Sequence, residues 1–141
     1  MALSGISTVL NVLRPQADLE KAAEQMQKHP EAAVSALGQL LNCIRNEASE
    51  HGVGFTGQDS LDARAWLQHF AGSSDGVARM SAAPKADLVQ LLQYMRPLGN
   101  SFRTQMEAPT DDPARIELLE KMARMTDELP HFKGAERPSD P

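Results

Sequence analysis

The chain has 141 residues, of which 41% are apolar and 23% charged, and its formal net charge is -5. This length and composition are typical of one globular domain and argue against disorder of the whole chain. The charges are spread out, without a run of lysine and arginine, so we expect no nucleic acid partner. No apolar run reaches the roughly 20 residues that span a bilayer, so we expect no stable membrane insertion.

Cys43 is the only cysteine of the chain. A single thiol forms no intramolecular disulfide and builds no cysteine-based zinc site, which fits a reducing compartment. The N-terminus has no basic stretch followed by an apolar block, so we predict no cleavable secretory signal. The sequence therefore predicts a cytoplasmic protein without a disulfide framework.

Apolar residues recur at helical spacing in the first third of the chain. The pattern runs from Leu3 to Met26 with an interruption at Pro15, and Pro30 is placed to open the next helix in its first turn. That helix is the most amphipathic of the chain and is predicted to end at Gly52. Its apolar face consists of Ala33, Val34, Leu37, Leu40, Leu41, Ile44 and Ala48.

A glycine-rich loop at 52–58 precedes the third predicted helix, which Asp59 or Ser60 caps. The apolar stripe of this helix consists of Ala63, Trp66, Leu67 and Phe70. We predict that Trp66 is largely buried, because aromatic side chains dominate cores. Gly72 is predicted to end the helix, and 72–76 is predicted to be a loop.

Pro84 opens a further helix, which Pro97 and Gly99 are predicted to break or kink. Asp112 followed by Pro113 predicts the N-cap and first turn of the last helix, which ends at Pro130. No strand-like alternation is present. The sequence thus predicts an all-α, single-domain bundle of five or six helices at 1–130, with a frayed tail at 131–141.

Two kinds of catalytic site can be assembled from polar residues near the loop 50–60. Cys43 could act as a thiol nucleophile with His51 or His69 as its base. The helical spacing places Cys43 at the boundary of the apolar stripe. Glu47 and Glu50 at the end of a helix are an acid and its partner in a lysozyme-like hydrolase. A small hydrolase is therefore the alternative to a binding function.

Cofactor and metal sites are poorly supported by the same region. Gly52, Gly54 and Gly57 spell GxGxxG, but a helix precedes them, whereas dinucleotide binding requires a strand. Glu47 and His51 are four residues apart, yet a metal would need a third ligand such as His69 or Asp62. We predict no cofactor and no metal.

Residues 2–13 carry no charge and yet are amphipathic, with Ser4, Ser7, Thr8 and Asn11 on the polar face. The segment resembles the uncleaved N-terminal export signals of bacterial type III secretion substrates, with Leu3 near the start and no acidic residue before Asp18. This resemblance implies export without a cleavable signal. A first helix docked on the bundle is the alternative.

The sequence favours a protein-interaction module, such as an adaptor, a regulator or a small secreted effector, over an enzyme. Helices with broad apolar faces are abundant, whereas no catalytic motif has the context that its chemistry needs. Methionine-rich faces can be adaptable binding surfaces, although they more often fill cores. The candidate partner-binding residues are Leu3, Ile6, Val9, Leu10, Leu13, Met122 and Met125. The expected partner is another protein, and a second copy of this chain is one of the alternatives.

Overall fold

The computed structural model describes residues 17–55 and 57–133. These residues form α-helices and short 3-10 helices, with no strand among them, so the predicted all-α, single-domain fold is confirmed. The α-helices are α1 (17–28), α2 (Pro30–Asn46), α3 (Gln58–Ala71), α4 (Gly76–Ala82), α5 (Lys85–Met106) and α6 (Pro113–Glu128). No helix in the described ranges is long and apolar enough to cross a membrane.

Helix α2 begins at Pro30, as predicted, but it ends at Asn46, before the predicted stop at Gly52. A 3-10 helix, Ser49–His51, continues the chain, and Gly52 closes it at a φ of 70°. Glycine adopts this left-handed conformation without the steric cost that other residues pay.

Helix α3 begins at Gln58, with Gly57 rather than Asp59 or Ser60 at its N-cap. The Ser60 side chain is buried instead. After α3 the structure contains α4, which the sequence analysis did not predict. Its only large buried side chain is Met80, so its seven residues carry no periodic apolar stripe.

Helix α5 is continuous from Lys85 to Met106, so of the break or kink predicted at Pro97 and Gly99, the break does not occur. Proline removes one backbone donor from a helix, which costs stability without preventing helix formation. Here the apolar face packs against α3 and α6 on both sides of the proline and keeps the helix intact. The buried residues of this face are Leu88, Val89, Leu91, Leu92, Met95, Leu98, Gly99 and Phe102.

The predicted start of α6 is confirmed, because the Asp112 side chain accepts a hydrogen bond from the Ala114 amide at 3.1 Å. After α6, Leu129–His131 forms a 3-10 helix and Phe132 packs against the core. The first residues of the predicted tail are thus placed against the core through an aromatic side chain. Residues 134–141 lie outside the described ranges.

The core lies between α5, which packs against α3 and α6, and α2, which packs against α3, α4 and α6. Trp66, which we predict to be largely buried, lies at the margin of this core and is partly buried against it. The fully buried stripe of α3 is Ala63, Leu67 and Phe70. At 100° per residue Trp66 lies at the edge of that stripe, so part of its side chain stays outside the core.

The glycine-rich loop is fastened to α5 by one side chain. The Gln105 amide accepts a hydrogen bond from the Gly54 N–H at 2.9 Å and donates one to the Gly54 carbonyl at 3.0 Å. Phe55 packs edge-on against Phe102, with ring centroids 5.9 Å apart. Because its amide is already engaged, Gly54 does not offer the free backbone donor that a phosphate-binding glycine loop supplies.

Replacing Gln105 with alanine should release this loop and cost about 1 kcal/mol, the usual net value of partly exposed hydrogen bonds. Amide hydrogen exchange should accelerate at Gly54 while exchange in α2 stays unchanged. Gln68→Ala, an exposed glutamine on α3, is the matched control. Equal exchange at Gly54 in both variants would contradict the fastening.

Candidate functional site

An open groove lies between the C-terminal end of α2 and the outer face of α6. Its volume is about 430 Å³. The residues that line it are Glu47, His51, Ala114, Glu117, Leu118, Glu120, Lys121 and Arg124. We call it the α2–α6 groove. It brings together two of the predicted catalytic candidates, Glu47 and His51.

His51 is oriented by a residue from the other side of the groove. Its Nδ1 lies 2.7 Å from Oδ2 of Asp112, while the other carboxylate oxygen of Asp112 caps α6. The carboxylate is therefore held in place by a helix end and fixes the imidazole ring. With Nδ1 engaged by a carboxylate, Nε2 is the ring nitrogen that can accept a proton, as in histidine bases of hydrolases.

The two partners shift each other's proton affinity. The hydrogen bond to Asp112 raises the pKa of His51 above its usual 6.5, with smaller contributions from Glu50 and Glu47. The same hydrogen bond lowers the pKa of Asp112 below 3.8. The pair is thus predominantly imidazolium and carboxylate in weakly acidic solution.

This coupling predicts a pH-dependent stability. Because the pKa of His51 is raised in the folded protein, its contribution to stability is fully present below pH 6.5. This contribution is lost as the pH rises through the pKa of His51 in the folded protein. Because the pKa of Asp112 is lowered in the folded protein, its contribution to stability is fully present above pH 3.8. This contribution is lost as the pH falls through the pKa of Asp112 in the folded protein. The wild-type protein should therefore have a higher free energy of unfolding than His51→Gln, and the difference should be largest between pH 3.8 and pH 6.5. Urea titrations at several pH values measure this difference. A pH-independent difference, or an equal one for His69→Gln, would contradict the coupling.

Cys43 lies beneath the groove and is not at a boundary, since its exposed fraction is 3%. Helix α6 covers the side of α2 that carries it. Burial raises the pKa of the thiol, Glu47 adds to this effect and Lys121 opposes it. Reactive cysteines require a lowered pKa and access to solvent, so this thiol has neither property of a nucleophile.

The remaining candidates do not converge on the groove. Glu50 is exposed on the 3-10 helix, where its charge acts on His51. His69 lies on α3 and lines a different depression. No group of three metal-binding side chains occurs among the residues of the two described ranges.

The second depression surrounds Trp66 and has a volume of about 340 Å³. Its lining residues are Asp62, Ala65, Trp66, His69 and Asp87. With Leu61, which is 48% exposed, we call them the Trp66 surface. The members on α3 fall within an arc of about 140° at 100° per residue, so they form one continuous face.

The Trp66 ring packs against two aromatic neighbours. It stacks on the buried ring of Phe70 with centroids 6.1 Å apart and an interplanar angle of 14°. The His69 ring meets it edge-on, also at 6.1 Å. An exposed aromatic ring that is fixed in this way loses little side-chain entropy when another molecule covers it.

The Trp66 surface is electronegative. Asp62 lies 3.4 Å from the Tyr94 hydroxyl, which donates to it. Burial raises the pKa of Tyr94, and the charges of Asp62 and Asp59 add to that effect. Neither Asp62 nor Asp87 forms an ion pair with any residue that the structure describes.

The predicted partner-binding residues are placed unevenly. Met122 is fully buried in the core, so a partner cannot reach it in this structure. Met125 is half-buried and packs against the core. The others, Leu3, Ile6, Val9, Leu10 and Leu13, lie outside the described residues.

Asp112 is the site residue that the sequence analysis assigned only as a helix cap. It follows His51 by 61 residues, and no periodic pattern connects positions that far apart. Lys121 and Arg124 form no ion pair in the part of the chain that the structure describes, and they line the groove.

Comparisons with protein-family models, curated proteins and solved structures find no match to this chain.

Proposed function

We propose that this chain is a protein-interaction module that binds a partner protein through the Trp66 surface. The observation that carries the proposal is a partly buried tryptophan whose ring stacks on a buried aromatic neighbour. Tryptophan is among the residues that most often dominate binding energy in interfaces, especially when packed and surrounded by contacts that exclude water.

The neighbours of Trp66 support the same proposal. Leu61 is the most exposed large hydrophobic side chain of the described residues, and it lies on α3 at the opposite end of the same 140° arc from Trp66. The other exposed large hydrophobics, Val77 and Ile116, are on α4 and α6. Single exposed apolar residues are common on protein surfaces and need no explanation. An exposed leucine on the same helix as the tryptophan is, however, what an apolar binding surface requires.

Site-specific photo-crosslinking in the source cell tests the proposal. A photoreactive residue at Leu61 should give a defined adduct with one partner protein, and Trp66→Ala should abolish it. Ile116 is the matched control, because it is a similarly exposed aliphatic residue on another helix. Equal adducts from both positions, or an adduct that survives Trp66→Ala, would reject the Trp66 surface.

A second candidate function, a small hydrolase, is favoured by the fixed His51–Asp112 pair in the α2–α6 groove. In this alternative His51 is the general base and Asp112 orients it, with Glu47 in the same groove. The buried Cys43 is not used.

The hydrolase candidate is tested with a panel of ester, peptide and glycoside substrates. An activity should fall about a hundredfold or more in both His51→Gln and Asp112→Asn, as expected for loss of general base catalysis. His69→Gln should leave it unchanged. Residual activity at the wild-type level in both groove variants would assign that activity to a contaminant.

A further inference from the structure

The Trp66 surface combines an aromatic ring with negative charge, which indicates what kind of side chain it accepts. Its two carboxylates come from different helices, Asp62 from α3 and Asp87 from the first turn of α5. Both are half-buried and line the depression together with the ring. Asp62 accepts hydrogen bonds from two uncharged donors, the Gln58 amide at 2.8 Å and the Tyr94 hydroxyl at 3.4 Å. An apolar side chain alone would desolvate the two carboxylates without supplying a positive charge, which is costly.

The basic residues of the neighbouring helices do not neutralise this charge. Arg64 lies over an aromatic ring, Lys85 pairs with a carboxylate of α1, and Arg79 donates to a backbone carbonyl. The lining of the depression contains no lysine or arginine. The negative charge is thus open to a cation from outside the chain.

We propose that the Trp66 surface binds an arginine side chain of the partner, with its guanidinium against the Trp66 ring and its N–H groups on Asp62 and Asp87. This inference rests on the proposed function, because it names the chemistry of the partner at that surface. Tryptophan is the best aromatic partner for a cation, and guanidinium is planar and stacks on rings. Arginine also presents several donors in a fixed geometry, which suits two carboxylates better than a lysine ammonium does.

The single tryptophan of the chain makes the test specific. The blocked tripeptide acetyl-Gly-Arg-Gly-amide is titrated into the full chain while Trp66 emission and the indole N–H resonance are recorded. Two matched peptides carry lysine or citrulline instead, and citrulline keeps the shape of arginine without its charge. We expect a saturable, salt-sensitive shift with arginine, about fivefold weaker binding with lysine and no shift with citrulline.

Charge-neutral variants identify the carboxylates. Asp62→Asn and Asp87→Asn should each weaken arginine binding about fivefold, whereas Asp111→Asn, an exposed aspartate before α6, should not change it. The spectra of the variants report directly whether each one is folded. An equal shift with the citrulline peptide, no saturable shift with arginine, or an equal loss in Asp111→Asn would overturn the inference.

The two proposals fail separately. If the arginine peptide binds as expected but no adduct forms from position 61, the interaction module is rejected and the cation site stands. If an adduct forms and depends on Trp66 but persists in Asp62→Asn and Asp87→Asn, the module stands and the arginine inference is rejected.

Discussion

Replacing Gly76 with alanine is expected to lower the free energy of unfolding by about 3 kcal/mol, at the upper end of overpacking costs. A Cβ atom at this position would lie 2.0 Å from the Phe70 carbonyl oxygen and 3.2 Å from a Val34 methyl group. The oxygen belongs to the backbone of α3, so relief requires a shift of α3 or α4. At an unstrained position the same change would stabilise a protein slightly, because alanine restricts the unfolded chain.

Gly38 is the matched control for this prediction. It lies in α2, and a Cβ atom there would have its nearest neighbour, the Ala71 methyl group, at 4.0 Å, an ordinary contact. Gly38→Ala should therefore leave stability unchanged or raise it by up to about 1 kcal/mol. Urea unfolding of both variants measures the difference. If Gly76→Ala is as stable as Gly38→Ala, the close approach of α4 to the end of α3 is not a constraint on this fold.

The same substitution should also affect the proposed binding surface. Phe70 supports the Trp66 ring, and its carbonyl oxygen is the atom that the new methyl group would displace. Trp66 emission should therefore change in folded Gly76→Ala, while Gly38→Ala keeps the wild-type spectrum. This prediction links the packing of the α3–α4 corner to the proposed binding surface.

Gly76 illustrates what the sequence can and cannot predict. The sequence predicts a loop at 72–76, which includes the Asp75–Gly76 pair, because glycine favours turns. In the structure Gly76 opens a helix, and its φ is not positive. The glycine is needed because two backbones approach closely, and such an approach depends on tertiary packing. In contrast, α2, α5 and α6 were predictable, since each has a long apolar stripe that is its buried face.

The candidate sites show the same division. The capping role of Asp112 was predictable from the local Asp-Pro pair, but its bond to His51 depends on how α6 packs beside α2. The apolar stripe places Trp66 on the right helix, but not at the edge of the buried face, where the structure has it. A stripe indicates which face of a helix is buried but not how wide the covered arc is, and that width depends on the neighbouring helices.

The second large effect is expected at Gly99, where α5 approaches α6. A Cβ atom on Gly99 would lie 2.5 Å from Oγ1 of Thr126, and 3.3 Å from a guanidinium nitrogen of Arg103. Thr126 is buried and its hydroxyl donates to the Ala123 carbonyl at 2.6 Å, so it cannot rotate away without losing that bond. Gly99→Ala should cost about 2 kcal/mol, although alanine is the better helix former by about 1 kcal/mol.

A double-mutant cycle isolates this contact. In a Thr126→Ala background the opposing oxygen is absent, so Gly99→Ala should become neutral or stabilising, with a coupling energy of about 2 kcal/mol. Thr126→Val is the matched control, because a methyl group replaces the hydroxyl at nearly the same volume and the clash persists. Thermal and urea unfolding of the single and double variants measure the cycle. Additive effects of Gly99→Ala and Thr126→Ala would show that α5 and α6 are not held at this distance by Gly99, since only a direct contact makes the two substitutions depend on each other.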